Sequence, residues 1–211
     1  MMSDLLNRLG YLQTRRDRTP NLDLARNLAA RDDLTGIREI AENMWNDNKN
    51  IHGDCMNVMY EIGRVDPNLI TPYASDFIKF LKSKHQNMVL GAITALSEVA
   101  KVKPDFIVKH LDEIKKAKEA GAEAVVVKSI SALAYTAAAN EEYSKTIFPY
   151  LLQDLLSCHH KEIPEHAEKI LPAINEDNKI DFIKTLKKRL EELSGSDFTR
   201  LKKIVRIAEN L

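Results

Sequence analysis

A repeat of 37 residues runs through this sequence and constrains its fold more than any other feature. Large apolar residues recur at one phase of the repeat, and a second apolar column precedes them by three positions. The first column consists of Met59, Leu96, Leu133, Ile170 and Ile207. The second column consists of Met56, Ile93, Ile130, Ala167 and Ile204. Two apolar columns at this separation predict the buried face of a helix.

A further set of columns predicts another helix in each repeat. These columns consist of Ile37, Ala74, Leu111 and Phe148, and of Ile40, Phe77, Ile114 and Leu151. Capping positions at the same spacing stand just before these first helices; they are Asp66, Lys103, Asn140 and Asp177. Asp and Asn are good N-caps, and Pro67 and Pro104 follow two of the positions, where proline is tolerated. Core pattern and turn chemistry therefore agree on two helices per repeat.

The repeat divides a single predicted domain, residues 1–211, into five helix pairs. The pairs cover residues 33–64, 67–101, 104–138, 141–174 and 177–211. Residues 1–31 stand outside the register but contain apolar positions at helical spacing, including Leu5, Leu9 and Leu12. Because the end of a stack of repeats needs a polar cover, we expect residues 1–31 to form an N-terminal helical cap.

Two stretches, Val89 to Ala100 and Val125 to Ala137, resemble the second helix of a HEAT repeat. The segment Lys103 to Ile107 resembles the entry into the next first helix, and Pro72 and Pro149 resemble the prolines that kink first helices in this family. The resemblance, which does not separate HEAT from armadillo repeats, implies an all-α fold. The expected architecture is a right-handed αα-superhelix of about five HEAT-like pairs.

The resemblance also implies a binding surface, because second helices line the concave face in this family. The outward positions of the first three second helices carry Asn57, Glu61, Arg64, Thr94, Glu98, Lys101, Lys128, Ser131 and Tyr135. Such mixed polar and charged rows suit an extended peptide or a helix. A plainer alternative is that a solvated helix face needs polar residues in any case, and that hydroxyl and amide groups bond only their own helices.

Composition limits the cellular compartment and the classes of partner that can be expected. The 31 basic and 31 acidic residues balance, so no global field favours polyanions or anionic membranes. Two cysteines, Cys55 and Cys158, are too few for a disulfide framework. No apolar run approaches the length of a membrane span, and Met1 to Arg18 lacks the pattern of a secretion signal. We therefore expect a cytoplasmic protein without a membrane partner.

Two groups of residues could carry other chemistry. Cys158, His160 and His166 offer zinc-type ligands near the turn of the fourth pair, although neighbouring residues at a helix end point apart. His52 and Cys55 lie three positions apart, as a base and a nucleophile would, but the repeat register makes Cys55 a buried filler. Phosphate loops, metalloprotease motifs and nucleophile elbows are absent, so neither catalysis nor a cofactor is expected.

Basic clusters provide the remaining alternative. One lies near the C-terminus and consists of Lys184, Lys187, Lys188, Arg189, Arg200, Lys202, Lys203 and Arg206, and a smaller one consists of Arg15, Arg16 and Arg18. They could contact phosphate, but acidic residues interleave the larger cluster. The leading hypothesis is a non-catalytic scaffold that binds a protein or peptide. The alternative is a nucleic-acid-binding or repair protein resembling HEAT-like DNA glycosylases, against which the neutral charge argues.

Overall fold

The computed structural model describes residues 3–15 and 17–211, so Met1, Met2 and the basic residue Arg16 lie outside the described residues. The secondary structure of the described residues is helical, without a β-strand. The α-helices are α1 (Thr19–Ala30), α2 (Leu34–Asn43), α3 (Lys49–Val65), α4 (Ala74–Phe80), α5 (Gln86–Val99), α6 (Pro104–Val108), α7 (Leu111–Ala120), α8 (Glu123–Ala137), α9 (Glu141–Ser157), α10 (Ile163–Ile170), α11 (Lys179–Arg189) and α12 (Gly195–Glu209). Short 3₁₀ segments cover Leu6–Arg8, Pro67–Tyr73, His160–Glu162, Leu171–Ala173 and Leu190–Glu192.

The second helices of the predicted pairs form a continuous layer in which α3, α5, α8, α10 and α12 pack in sequence. Their two predicted columns are buried with one exception. Ile207 at the C-terminal end is 40% exposed, so its assignment to the core column is wrong. Helix α12 instead buries Leu201, Ile204, Val205 and Ala208. In the described residues α12 packs against α10 and α11, and these contacts leave Ile207 partly exposed.

The first helices are less regular, and prolines explain part of this. The predicted columns are buried except for the partly exposed Leu111. Pro72 lies in the 3₁₀ segment that precedes α4, where the missing N–H breaks the α-helical pattern. Pro149, in contrast, lies inside the unbroken helix α9. In the third pair the first helix is split into α6 and α7.

The predicted caps hold at two of four positions. Asp66 accepts a hydrogen bond from the backbone N–H of Asn68, and Asn140 accepts one from that of Tyr143. The side chain of Lys103 caps nothing. Asp177 is displaced from its predicted role, because α11 begins at Lys179 and its N-cap residue is Asn178.

The described part of the N-terminal segment packs on the first pair. Leu9 is fully buried, and α1 packs against α3. The carbonyl oxygen of the Asn21 side chain accepts from the N–H of Gly10, and Asp54 of α3 accepts from the N–H of Tyr11 and from the Asn21 amide. These bonds attach the segment to the helix that begins the groove described below. None of the described helices is long and apolar enough to span a membrane.

Candidate functional site

A groove of about 690 Å³ crosses four consecutive second helices, α3, α5, α8 and α10. The N-terminal segment closes one end of it through Gly10, Arg15, Asp17, Arg18 and Asn21. The helices contribute Lys49, Asn50, Gly53, Asp54, Met56, Asn57, Tyr60, Arg64, Asn87, Leu90, Gly91, Thr94, Glu123, Ala124, Val127, Lys128, Glu165 and Lys169. The stacking of equivalent helix faces thus produces an extended depression from residues that are far apart in sequence.

The floor of the groove is apolar and depends on a glycine. Met56, Leu90 and Val127 line it. A Cβ atom at Gly91 would lie 2.3 Å from Cγ of the buried Met56, so glycine is needed for α5 to approach α3 this closely. Gly53 differs, because a Cβ atom there would meet nothing within 4 Å. One glycine therefore sets the packing beneath the groove, and the other leaves space in it.

Four residues of the strip predicted from sequence line the groove: Asn57, Arg64, Thr94 and Lys128. The other five, Glu61, Glu98, Lys101, Ser131 and Tyr135, do not line it. The expectation that all nine point outward is wrong for Thr94, Glu98 and Ser131, which are buried. The reason is that α5 and α8 lie between neighbouring second helices, which cover more of each helix than one apolar stripe.

The hydroxyl groups of the strip serve their own helices. Thr94 donates to the carbonyl oxygen of Leu90 at 2.7 Å, and Ser131 donates to that of Val127 at 3.0 Å. The plainer alternative from the sequence is therefore confirmed for these two residues. Asn57 also bonds within its own helix, because its side-chain amide donates to the hydroxyl of Tyr60 in α3.

The acidic residues of the strip are already paired within the chain. Glu61 accepts from Arg64 with 2.5 Å between Oε1 and Nη1, and Glu98 pairs with Lys101 one repeat later. The Lys101 ammonium also lies 4.9 Å from the centre of the Tyr135 ring, a cation–π arrangement. The two i,i+3 pairs repeat the same chemistry on successive helices, and they leave neither carboxylate without a counter-ion.

Lys128 is a cation of the groove that has no carboxylate partner of this kind. It is half-buried and forms no ion pair with any carboxylate in the ranges 3–15 and 17–211. Burial lowers the pKa of Lys128, and the positive charges of Arg64 and Lys169 lower it further, against a smaller opposing effect of Glu98. The protonated ammonium is therefore held among like charges in a partly desolvated place.

Tyr60 connects the N-terminal segment to the second helices. Arg18 donates from Nη1 to the Tyr60 hydroxyl at 3.3 Å, and the Arg64 guanidinium lies 5.2 Å from the centre of the Tyr60 ring. Burial raises the pKa of Tyr60. This phenol therefore stays protonated at neutral pH and carries no charge into the groove.

The zinc-type ligands predicted from sequence come together only in part. Cys158 and His166 lie close together, and Asp154 of α9 joins them so that ligand atoms of all three are within 4.8 Å of one another. His160 is exposed and its ring packs at a tilt against that of His159, so its inclusion in that candidate set is wrong. A 3₁₀ segment at the turn directs His160 to solvent, whereas α10 carries His166 inward.

The partners of Asp154 make this group a buried ion network, which we call the Asp154 cluster: Lys118, Asp154, Cys158 and His166. The carboxylate lies 2.5 Å from Nζ of Lys118 and 2.8 Å from Nδ1 of His166. Burial disfavours charge here, but the bond to Asp154 outweighs it and raises the pKa of His166 to about 9. Asp154, Cys158 and His166 could hold a metal ion only if Lys118 released the carboxylate.

The other residues singled out from the sequence have structural environments. Cys55 is fully buried, as predicted, and burial raises the pKa of its thiol to about 12. In the C-terminal basic cluster, Arg200 binds Glu168 through two nitrogens and Lys187 pairs with Glu209. Arg189 is buried and donates to the backbone oxygens of Leu155 and Cys158. Part of that cluster therefore joins the last two pairs together.

Several groove residues were not found from the sequence. Lys169 and Glu165 belong to α10, whereas the predicted strip ends at the third pair. Extending the 37-residue register by one repeat would have included the fourth second helix. Gly10 and Asn21 carried no such signal, because the N-terminal segment lies outside the repeat and its position depends on tertiary contacts.

Comparison with known proteins supports the fold. No protein-family model matches the chain, and no curated protein matches it. A designed armadillo repeat protein in complex with the peptide (KR)4 is 15% identical with a TM-score of 0.67, covering 98% of this chain and 97% of that chain. An engineered protein from a structural genomics consortium is 18% identical with a TM-score of 0.62, and the match covers 99% of this chain and 96% of that chain. A structure of computationally designed armadillo repeat proteins for modular peptide recognition is 14% identical with a TM-score of 0.59, and the match covers 97% of this chain and 98% of that chain. The chain is therefore an all-helical solenoid with an armadillo-like repeat fold.

Proposed function

We propose that this chain is a non-catalytic scaffold that binds a segment of a partner protein in the groove across α3, α5, α8 and α10. The observation that carries the proposal is the groove itself, which extends across four consecutive second helices. The peptide complex of a designed armadillo repeat protein with the same fold is consistent with such use. Extended peptides gain affinity from many small polar and apolar contacts along such a surface.

The chemistry of the lining favours a peptide over a small metabolite. Small-molecule pockets are mostly hydrophobic with a few polar groups. Here charged and amide side chains predominate around the apolar floor. A non-catalytic role is supported by the state of the cysteine that the sequence offered as a nucleophile, because a thiol with a pKa of about 12 is not ionised at neutral pH.

The test is to block the groove without disturbing the fold. Gly53→Trp places an indole in the groove from a Cβ position that has open space around it. Replacing a helical glycine also removes a helix-destabilising residue, so the variant is expected to be at least as stable as the wild type. We expect peptides selected from a displayed random library on wild-type protein to lose binding to Gly53→Trp.

The matched control is Lys145→Trp, which adds the same side chain at an exposed position of α9, outside the groove. Selected peptides should bind this control as they bind the wild type. If they bind Gly53→Trp equally well, or if selection recovers no specific peptide, the proposal is rejected.

Two further assignments belong to the proposal. A cytoplasmic location is consistent with two free cysteines, Cys55 and Cys158. The competing hypothesis is a DNA-repair role, for which aromatic residues near a basic surface would be needed; Trp45 is 52% exposed but stacks on Phe80, away from the groove lining. Tight binding of a 20-base-pair duplex that Gly53→Trp abolishes would favour that hypothesis instead.

A further inference from the structure

The charges that line the groove are not balanced. Among the described residues, six basic and four acidic side chains lie along it. The basic residues are Arg15, Arg18, Lys49, Arg64, Lys128 and Lys169. The acidic residues are Asp17, Asp54, Glu123 and Glu165. The surplus is small, so what matters is which of these groups are already engaged within the chain.

Half of the acidic groups are engaged by the protein itself. Asp17 pairs with Arg15 at 2.9 Å, and Asp54 accepts two hydrogen bonds, from the N–H of Tyr11 and the side-chain amide of Asn21. Glu123 and Glu165 lie in the first turns of α8 and α10, where the positive end of the helix dipole stabilises a carboxylate. These acidic residues therefore have local reasons to be present.

Three lysines of the groove have no partner of opposite charge among the described residues. Lys49, Lys128 and Lys169 form no ion pair with a carboxylate in the part of the chain that the structure describes. Lys128 is half-buried between the charges of Arg64, from two repeats earlier, and Lys169, from the next repeat. A cation placed among cations in a partly desolvated groove is unfavourable unless an anion joins it.

From this arrangement we propose that the groove binds an acidic segment of a partner protein, with its Asp or Glu side chains on Lys128 and Lys169. The inference rests on the proposed function and specifies the chemistry of its partner. Each carboxylate that reaches Lys128 would supply the counter-ion that the chain does not. Charge complementarity of this kind sets specificity and the rate of association.

The floor of the groove favours a peptide over another polyanion. Single-stranded nucleic acids are held by rows of aromatic side chains on which successive bases stack. The groove has one aromatic lining residue, Tyr60, whereas Met56, Leu90 and Val127 form an apolar surface suited to aliphatic side chains. An acidic peptide that also carries apolar residues matches both the floor and the cations.

The experiment measures binding of fluorescein-labelled octapeptides by fluorescence anisotropy at about 50 mM and 200 mM salt. The acidic probe is (Asp-Glu)4, and (Lys-Arg)4 is the basic probe of the same length. We expect saturable binding of the acidic probe, weakened by salt, and at least tenfold weaker binding of the basic probe. A 16-nucleotide single strand of thymidines serves as the nucleic-acid probe.

Variants then locate the binding. Lys128→Gln is expected to lower the affinity for the acidic probe about tenfold, and Lys169→Gln about fivefold, because each variant removes one positive charge from the groove. The matched control is Lys188→Gln, which makes the same change at an exposed lysine outside the groove. We expect it to change the affinity for the acidic probe less than about twofold. Urea unfolding of each variant checks that the fold is retained.

Several outcomes overturn the inference. These are equal or stronger binding of (Lys-Arg)4, an equal effect of Lys188→Gln and Lys128→Gln, stronger binding of the thymidine strand, or no saturable binding of the acidic probe. If the acidic probe fails while library peptides still lose binding to Gly53→Trp, the groove remains a peptide site and only the acidic chemistry is wrong. If both fail, the proposed function fails too.

Discussion

Charged side chains are used in opposite ways in the groove and in the Asp154 cluster. In the cluster, Asp154 and His166 are almost wholly buried, and each charge has a partner within the chain. In the groove, Lys128 is half-buried, and the positive charges of Arg64 and Lys169 act on it more strongly than the negative charge of Glu98. Closed networks hold helices together, whereas charges without internal partners remain available to a ligand. The comparison predicts stability effects in the cluster and binding effects in the groove.

The largest effect is expected from opening the cluster. Asp154→Ala leaves the ammonium of Lys118, whose side chain is 12% exposed, without its counter-ion. Removing one partner of a buried ion pair costs about 3–5 kcal/mol, so we expect a loss of that order in the free energy of unfolding, measured with urea. The control is the double variant Asp154→Asn, Lys118→Met, which removes both charges and should recover part of the loss. A loss below about 1 kcal/mol for Asp154→Ala would contradict the comparison.

The next largest effect is a dependence of stability on pH. The folded-state pKa of His166, about 9, is higher than its ordinary value of 6.5, so the protonated imidazole stabilises the fold. This stabilisation is complete below pH 6.5 and is lost as the pH rises to about 9. We expect a decrease on the order of 2 kcal/mol across that range in urea unfolding. In the variant His166→Gln, the free energy of unfolding should depend less on pH. The same pH dependence as in the wild type would mean that other groups cause it.

The two glycines of the groove give a smaller effect of opposite sign. Gly91→Ala pushes a methyl group against Met56 and should destabilise the protein by about 1–3 kcal/mol, as overpacking does. Gly53→Ala adds a methyl group in open space and should stabilise it by about 0.5–1 kcal/mol through helix propensity. Thermal unfolding of the pair is the measurement, and each variant serves as the control for the other. The same sign of effect for both would show that the floor of the groove is not close-packed.

The smallest stability effect is expected at Lys128. Its folded-state pKa is lowered, so its protonated form costs stability below that pKa and the cost disappears as the pH rises above it. Lys128→Gln should therefore leave stability unchanged at neutral pH or increase it by a few tenths of a kcal/mol. Lys188→Gln is the control for the loss of a lysine. A clear destabilisation by Lys128→Gln would mean that this residue, like Asp154, has a structural role.

The repeat in the sequence predicted the helices well because burial on one side of a helix leaves a periodic trace. Met59, Leu96 and Leu133 are buried as the register requires, and so are Ile37 and Ile40 on the first of the pairs. The division into five pairs with an N-terminal cap stays a proposal that accounts for this pattern. The prediction failed at Ile207 because a column assumes that every second helix has packed neighbours on both sides, whereas the contacts of α12 with α10 and α11 in the described residues leave Ile207 partly exposed.

The candidate site was less predictable, for a related reason. Sequence spacing gives the phase of a residue on its own helix, which was enough to find Asn57, Arg64 and Lys128 in the groove lining. It does not give the distance between helices, and that distance buries Glu98 and Ser131.

The sequence alone determined the all-helical solenoid and the helix faces that form its core, because periodic apolar residues bury one face of each helix whatever its neighbours. Only the tertiary structure decided which charges meet. Asp154 and Lys118 lie 36 residues apart and Arg64 and Lys128 lie 64 apart in the chain, yet the first two form an ion pair and the second two repel each other. Electrostatic interactions depend on distance and burial, and the packing of one repeat on the next sets both.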